Sequence, residues 1–346
     1  MEFPKVFFID PELDEVHAAQ TLVEILDRLG IQKPYVLTSR FGRSLAGRLE
    51  GPIAPHAPVE GADQAWASEL GAAARSEGAD AIVAIGGGRR LDIAKLAAAR
   101  AGLTNIAVPT QLSHDGICSP VAVVPNEEGV AESLGAVPPR AVIVPLPTLA
   151  DAPVATIAAG LGDLLANPLA LRDWALAAQR GLEDIDQRAW DLSTESFEAV
   201  EGFLDQDPAV SEKDPNFLKH LADALVLSGM SMICSGTSRP ASGGEHEISH
   251  AIDELYGGRA LHGAQVAFGT LISVALYEED VEPTKQRLRK LGLPSHPEDL
   301  ELTEDDLVDV ILAAPGTRPG RFTILEDSDL DETRARELIR RIWPDR

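Results

Sequence analysis

The 346-residue chain is 45% apolar and 25% charged, which excludes disorder and fibrous structure and leaves room for one large α/β domain or two domains of ordinary size. Its 30 Lys and Arg against 55 Asp and Glu give a formal charge of −25, which removes the sequence-independent attraction a nucleic-acid binder uses and repels anionic membranes. The two cysteines, Cys118 and Cys234, support neither a disulfide framework nor a cysteine zinc site, and the acidic start is unlike a secretory signal, so a cytoplasmic protein is expected.

The first half alternates. Residues 18–29 have helical periodicity ending at Gly30, and 35–38 are a short β-type run. Residues 66–75 read as helix and 79–85 as an apolar strand buried on both faces. A Gly86-Gly87-Gly88 turn, a helix over 90–101 and a strand at 105–108 follow, and extended runs at 121–124 and 141–144 close this half. Strand and helix in repetition predict a parallel, Rossmann-like sheet. The apolar region 141–171 is broken by Pro145, Pro147, Asp151, Pro153 and Asp163, so no membrane span is expected there.

From about residue 151 the periodicity is helical, over 155–165, 169–179, 217–232, 245–255, 265–277, 283–291, 304–313 and 331–343, with 202–215 an acidic surface loop. The expected organisation is therefore an α/β domain over 1–150, an all-α domain over 151–346, and a site in the cleft between them.

Three segments carry the chemistry. Three glycines between strand and helix let backbone amides approach a pyrophosphate at a helix N-terminus, although the spacing is not the usual G-x-G-x-x-G and a tight turn needs the same residues. The stretch 109–120, PTQLSHDGICSP, follows the next strand, where parallel sheets bind ligands; its composition also suits an Asp-Gly turn bonded to its own backbone. In the helical half, His246 and His250 lie one turn apart on one helix face, and His262 opens the next helix. Asp163 sits in a strongly apolar helix, where a lone carboxylate is costly to bury and a cation makes it tolerable. An aspartate with two histidines and an open position is a catalytic zinc or non-haem iron arrangement, whereas H-x-x-x-H alone is a weak signal.

Jointly, GGG-x-x-x-D-x-x-K, PT-x-x-S-x-DG-x-x-SP, AG-x-GDL-x-AN with Asp173-Trp174 behind it, SRPASG-x-EH-x-x-SHA-x-D, LHG-x-QV and RPGRFTIL at 318–325 resemble the sn-glycerol-1-phosphate dehydrogenase family. That family belongs to a metal-dependent superfamily with glycerol dehydrogenase and dehydroquinate synthase. The resemblance implies that Gly86, Gly87, Gly88, Arg89, Arg90, Leu91, Asp92, Thr110, Gln111, Leu112, Ser113 and Ser119 contact NAD or NADP. It implies that Asp163, His246 and His262 hold one divalent metal, zinc in most relatives with nickel or iron as alternatives. Asp115 and His250 would meet the substrate. Arg89 stands where lysine is frequent and Ala264 where glutamate or histidine is common, and neither replaces a ligand.

The function expected is hydride transfer between NAD(P)H and a small phosphorylated substrate, with dihydroxyacetone phosphate and sn-glycerol 1-phosphate as the leading pair. A dehydroquinate-synthase-like cyclase or lyase, a dehydrogenase of another polyol, and a non-catalytic relative are the alternatives, and a homo-oligomer is compatible with all. Arg40 and Arg43 follow the 35–38 strand with no acid between them, which suits a ribose 2′-phosphate and predicts that NADPH serves at least as well as NADH.

Overall fold

A computed structural model describes residues 3–38, 42–53, 62–129, 131–204 and 214–344. The first half runs β1 (Lys5–Ile9), α1 (Glu15–Arg28), β2 (Pro34–Thr38), α2 (Arg43–Ala46), α3 (Gln64–Ser76), β3 (Ala81–Gly86), α4 (Gly88–Ala101), β4 (Thr104–Pro109), β5 (Val121–Pro125), β6 (Ala131–Gly135) and β7 (Ala141–Pro145). Helices follow: α5 (Leu146–Leu149), α6 (Val154–Leu165), α7 (Asn167–Gln179), α8 (Gln187–Glu201), α9 (Pro215–Ser235), α10 (Gly244–Tyr256), α11 (His262–Leu276), α12 (Glu282–Lys290), α13 (Glu304–Ala313), α14 (Ile324–Asp327) and α15 (Glu332–Ile342).

Five strands form one parallel sheet in the order β1-β7-β4-β3-β2. Every residue of β3 and β7 is buried, as continuous apolar strands covered by helices on both faces must be. The run expected at 121–124 is a strand but stands outside this sheet: β5 pairs antiparallel with β6 as a separate two-stranded unit. Its burial alternates, with Val123 facing outward, which is the pattern of a ribbon covered on one side only. Besides the four-residue helices α2, α5 and α14, three elements lack a legible signal. They are β1, which is only partly buried at the sheet edge, β6 (AESLG), and α8, whose apolar positions are diluted by serines and acids.

Two helical stretches, 154–179 and 215–235, are long and apolar enough to cross a bilayer, yet 83% and 67% of their apolar windows are packed inside the protein. They are core. One hydrophobic cluster joins the two halves, running from Leu91 and Leu112 beside the sheet through Leu164 of α6 to Ala267 and Phe268 of α11. Glycines set the spacing within it. Gly160 of α6 lies against the Leu112 carbonyl, and Gly263 of α11 against the carbonyls of Ala159 and Ser113. The loop after β4 is thereby held on α6 and α11, the helices that carry Asp163 and His262.

Candidate active site

The sheet presents β3 and β4 to the site by their carboxyl ends. Beyond β3, Gly87 is the extended N-cap of α4, and no side chain caps the first amides of that helix. A Cβ on Gly86, Gly87 or Gly88 would lie 2.7 Å from Arg90 Cδ, 2.6 Å from Gln111 Oε1 and 2.4 Å from His114 Nε2 respectively, so a side chain at any of them would displace the side chains packed over the turn. The Thr110 amide donates to the Gly86 carbonyl at 3.0 Å, closing the turn onto the loop after β4.

The residues expected around a dinucleotide divide by burial. Thr110 and Gln111 line a cavity of about 750 Å³ together with Asp14, Ser44 and Thr148. Arg89 is exposed at the first turn of α4, and Arg90 is half-buried, its guanidinium shifted downward by burial. Leu91 and Leu112 are 1% exposed, and their side chains belong to the hydrophobic core. Asp92 is ion-paired to the buried Lys95 at 2.8 Å and accepts the Val123 amide at 3.3 Å, so it ties α4 to β5. Ser113 is buried, and Ser119 Oγ is 3.4 Å from Lys95 Nζ. Arg43 is exposed at the start of α2, while Arg40 lies outside the described residues.

On the helical side, one ligand atom each from Asp163, His246 and His262 lies within 4.8 Å of the other two. Asp163 Oδ1 is 3.7 Å from His246 Nε2 and 4.0 Å from His262 Nε2. The second carboxylate oxygen, Oδ2, accepts the Asp115 amide at 2.9 Å, whereas Oδ1 is buried without a hydrogen-bond donor among the described residues. A buried anionic oxygen that faces two imidazoles and has no donor fits a cation, and the separations suit metal–ligand bonds of about 2.0–2.2 Å. Burial alone would raise the Asp163 carboxyl, but the two imidazoles outweigh it and hold it below the usual range. Burial likewise opposes protonation of His246, yet the Asp163 and Glu245 carboxylates overcome it and lift that imidazole to about 9. A proton there stands where a metal would. His262, partly buried and beside His246, is pushed down to about 3, by desolvation first and then by that neighbour.

Glu245 holds the other face of His246. Its Oε1 is 2.9 Å from His246 Nδ1 and also accepts the Gly243 amide at 2.6 Å, the arrangement by which carboxylates orient metal-ligating imidazoles. Asp115 and His250 line the same cavity, of about 210 Å³, as His114, His246 and His262. Asp115 accepts Ser228 Oγ at 2.8 Å, and burial and then Asp163 push its carboxyl up to about 7. His250 Nε2 accepts from Arg318 Nη2 at 2.9 Å, which puts the ring proton on Nδ1, and burial with Arg318 keeps this imidazole well below its usual range. Every titrating residue expected at the site is therefore brought together.

Residues with no role assigned from sequence join them. His114 accepts the Gly116 amide at Nδ1, lies over Gly88 and packs edge-on to His262 with ring centroids 5.7 Å apart, linking the glycine turn to the histidine cluster. Its signal was its place in the loop after β4. Arg318 opens the quoted RPGRFTIL stretch, and only the fold shows that it reaches His250 across 68 positions.

Comparison with known proteins agrees with this geometry. Residues 18–153 match the iron-containing alcohol dehydrogenase family. A glycerol-1-phosphate dehydrogenase [NAD(P)+] of Thermofilum pendens is 34% identical over 93% of this chain and 94% of its own. The enzyme of that name from Methanoculleus marisnigri is 38% identical over 76% and 71% respectively. Among solved structures, a probable glycerol dehydrogenase from Sinorhizobium meliloti superposes with a TM-score of 0.77 over 98% of this chain and 96% of its own, at 22% identity, which speaks for the fold. With the fold, the cluster and relatives matched over most of their length all in agreement, the chain belongs to the glycerol-1-phosphate dehydrogenase family.

Proposed function

We propose that this protein is a metal-dependent oxidoreductase that interconverts dihydroxyacetone phosphate and sn-glycerol 1-phosphate with NADH or NADPH. The observation that carries the proposal is the Asp163 oxygen, without a donor among the described residues, that faces His246 and His262, which line one cavity with Asp115 and His250 and are linked by His114 to an uncapped helix N-terminus. The family relationship supports the substrate pair and the dinucleotide.

In this reading residues 1–150 bind the dinucleotide and 151–346 the metal and substrate. Asp163, His246 and His262 would hold the divalent metal, zinc before nickel or iron, which supplies Lewis-acid polarisation of the carbonyl while the nicotinamide supplies the hydride. The Gly86–Gly88 turn and the first amides of α4 bind the pyrophosphate, with the loop at Thr110 and Gln111 beside it. His250 is neutral at pH 7 and uses its remaining N–H to orient the substrate oxygen. Asp115 holds a substrate hydroxyl, and its raised carboxyl lets it carry a proton near neutrality. Glu245 fixes the His246 ring so that Nε2 faces Asp163. This reading is of a cytoplasmic enzyme and is compatible with a homo-oligomer.

The test is steady consumption of NADPH and NADH with dihydroxyacetone phosphate by protein whose metal content is measured in parallel. Sustained turnover that disappears on chelation and returns with divalent metal is the expected result. No turnover by metal-replete protein overturns the proposal.

A further inference from the structure

Three arginines converge beside the cavity in a chain with a formal charge of −25, and they are not alike. Arg239 is buried and neutralised by Glu183, whose Oε2 accepts its Nε–H at 2.7 Å. Arg318 and Arg321 have no carboxylate within 4.0 Å among the described residues. Arg318 Nη2 donates to His250 Nε2 at 2.9 Å and to Ser133 Oγ at 3.2 Å, and the residue borders both the cavity of Asp115 and the histidines and a larger one of about 850 Å³ outside it. Arg321 Nη1 donates to the Ser242 carbonyl at 2.5 Å and to Ser242 Oγ at 3.0 Å, and Nη2 to Ser238 Oγ at 2.6 Å. Ser133, Ser238 and Ser242 all line the inner cavity.

A guanidinium half-withdrawn from water with no counter-charge is costly, and an acidic protein has carboxylates at hand to remove that cost. Here none is in contact. Burial and then the neighbouring arginines pull Arg321 down to about 10, and burial pulls Arg318 down as well. The missing counter-charge belongs to something that binds.

We infer that Arg318, with the hydroxyls of Ser133 and Ser242, receives the phosphate of the substrate, and that Arg321 is the positioning residue that sets Ser238 and Ser242 toward it. The inference rests on the proposed phosphate-ester substrate and names the residues that select it. A phosphate dianion supplies the counter-charge and accepts the planar donor fork of arginine through two oxygens. Position agrees: Arg318 donates to His250 and lines the inner cavity together with the proposed ligands His246 and His262.

The experiment compares dihydroxyacetone phosphate with unphosphorylated dihydroxyacetone in the metal-loaded enzyme, using wild type, Arg318→Gln and Ser242→Ala, with metal content measured for each. In Arg318→Gln the ratio of kcat/KM between the two substrates is expected to fall by about 10²–10³-fold, since a charged, bidentate contact is lost. Inhibition by inorganic phosphate should weaken at least tenfold. Ser242→Ala removes one donor without burying or exposing a charge, and should raise KM for the phosphate ester several-fold with kcat little changed. It serves also if Arg318→Gln does not fold. An unchanged substrate ratio in the folded variants, with wild type active on dihydroxyacetone phosphate, overturns the inference and leaves the proposed function standing. A wild type inactive on dihydroxyacetone phosphate but inhibited by phosphate through Arg318 overturns the function and leaves the anion site.

Discussion

Replacing Gly263 by alanine tests whether backbone packing holds the metal ligands in register. A Cβ there would lie 2.0 Å from the Ala159 carbonyl oxygen and 2.8 Å from the Ser113 oxygen, where ordinary contact begins near 3.4 Å. The first turn of α11 must then retreat from α6 by more than an ångström. In an exposed helix the same change gains about 1 kcal/mol of helix propensity. Overpacking costs typically about 1–3 kcal/mol and occasionally more. Because the atoms met are backbone carbonyls that cannot swing aside, the upper end of that range applies and the clash wins, leaving a net loss of about 2 kcal/mol or more. The retreat also carries His262 away from Asp163, now 4.0 Å distant, so metal affinity should fall at least tenfold. Urea unfolding of the chelator-treated protein reads the first effect, and competition with a chromophoric chelator reads the second. Gly202→Ala is the control: no atom of the described residues packed around it lies within 4 Å of its Cβ, its φ is −65°, and stability should hold or rise slightly. A Gly263→Ala protein as stable as wild type, with unchanged metal affinity, refutes the reasoning.

Asp163→Asn, His246→Ala and His262→Ala should each lose bound metal and activity with the far-ultraviolet dichroism kept; elemental analysis showing retained metal would remove that residue from the ligand set. His250→Ala should keep the metal but lose about 10²–10⁴ in kcat, the usual contribution of a proton-handling or orienting group, and metal loss equal to that of His246→Ala would make it a ligand instead. Glu247 is buried with Oε1 unpartnered, and burial followed by Glu326 pushes its carboxyl up to about 9. The native state thus binds this proton more tightly than the unfolded chain, so the contribution is favourable at low pH and is lost as pH rises from about 4.5 toward 9. Glu247→Gln should therefore gain about 1–3 kcal/mol relative to wild type between pH 5 and pH 8 in urea unfolding, and an equal difference at both pH values would contradict it.

Periodicity and punctuation in the sequence determined the class of the fold and most elements that matter to the site. The run 79–85 read as a buried strand is β3, the glycines after it begin α4, and His262 opens α11 as expected. These signals are local: a strand buried on both faces is apolar throughout, and a helix repeats its apolar positions every three or four residues. The grouping of Asp163, His246 and His262 was legible through the order of motifs and the cost of a lone aspartate in an apolar helix. Their convergence was decided by glycines at 160 and 263, whose missing side chains let backbones meet, and a contact between helices 100 residues apart leaves no mark on local pattern. The same holds for 121–124, where four apolar residues look alike in a parallel sheet or a ribbon, and only the partner strand decides. The side chains of Leu91 and Leu112, expected near the dinucleotide, turn into the core, because on the first turn of α4 and in the loop after β4 a side chain's direction is set by what packs behind it. Arg318 and Arg321 show the limit most clearly: charge counting finds the arginines, but whether a guanidinium meets an acid, water or an empty cavity is a property of the assembled tertiary structure alone.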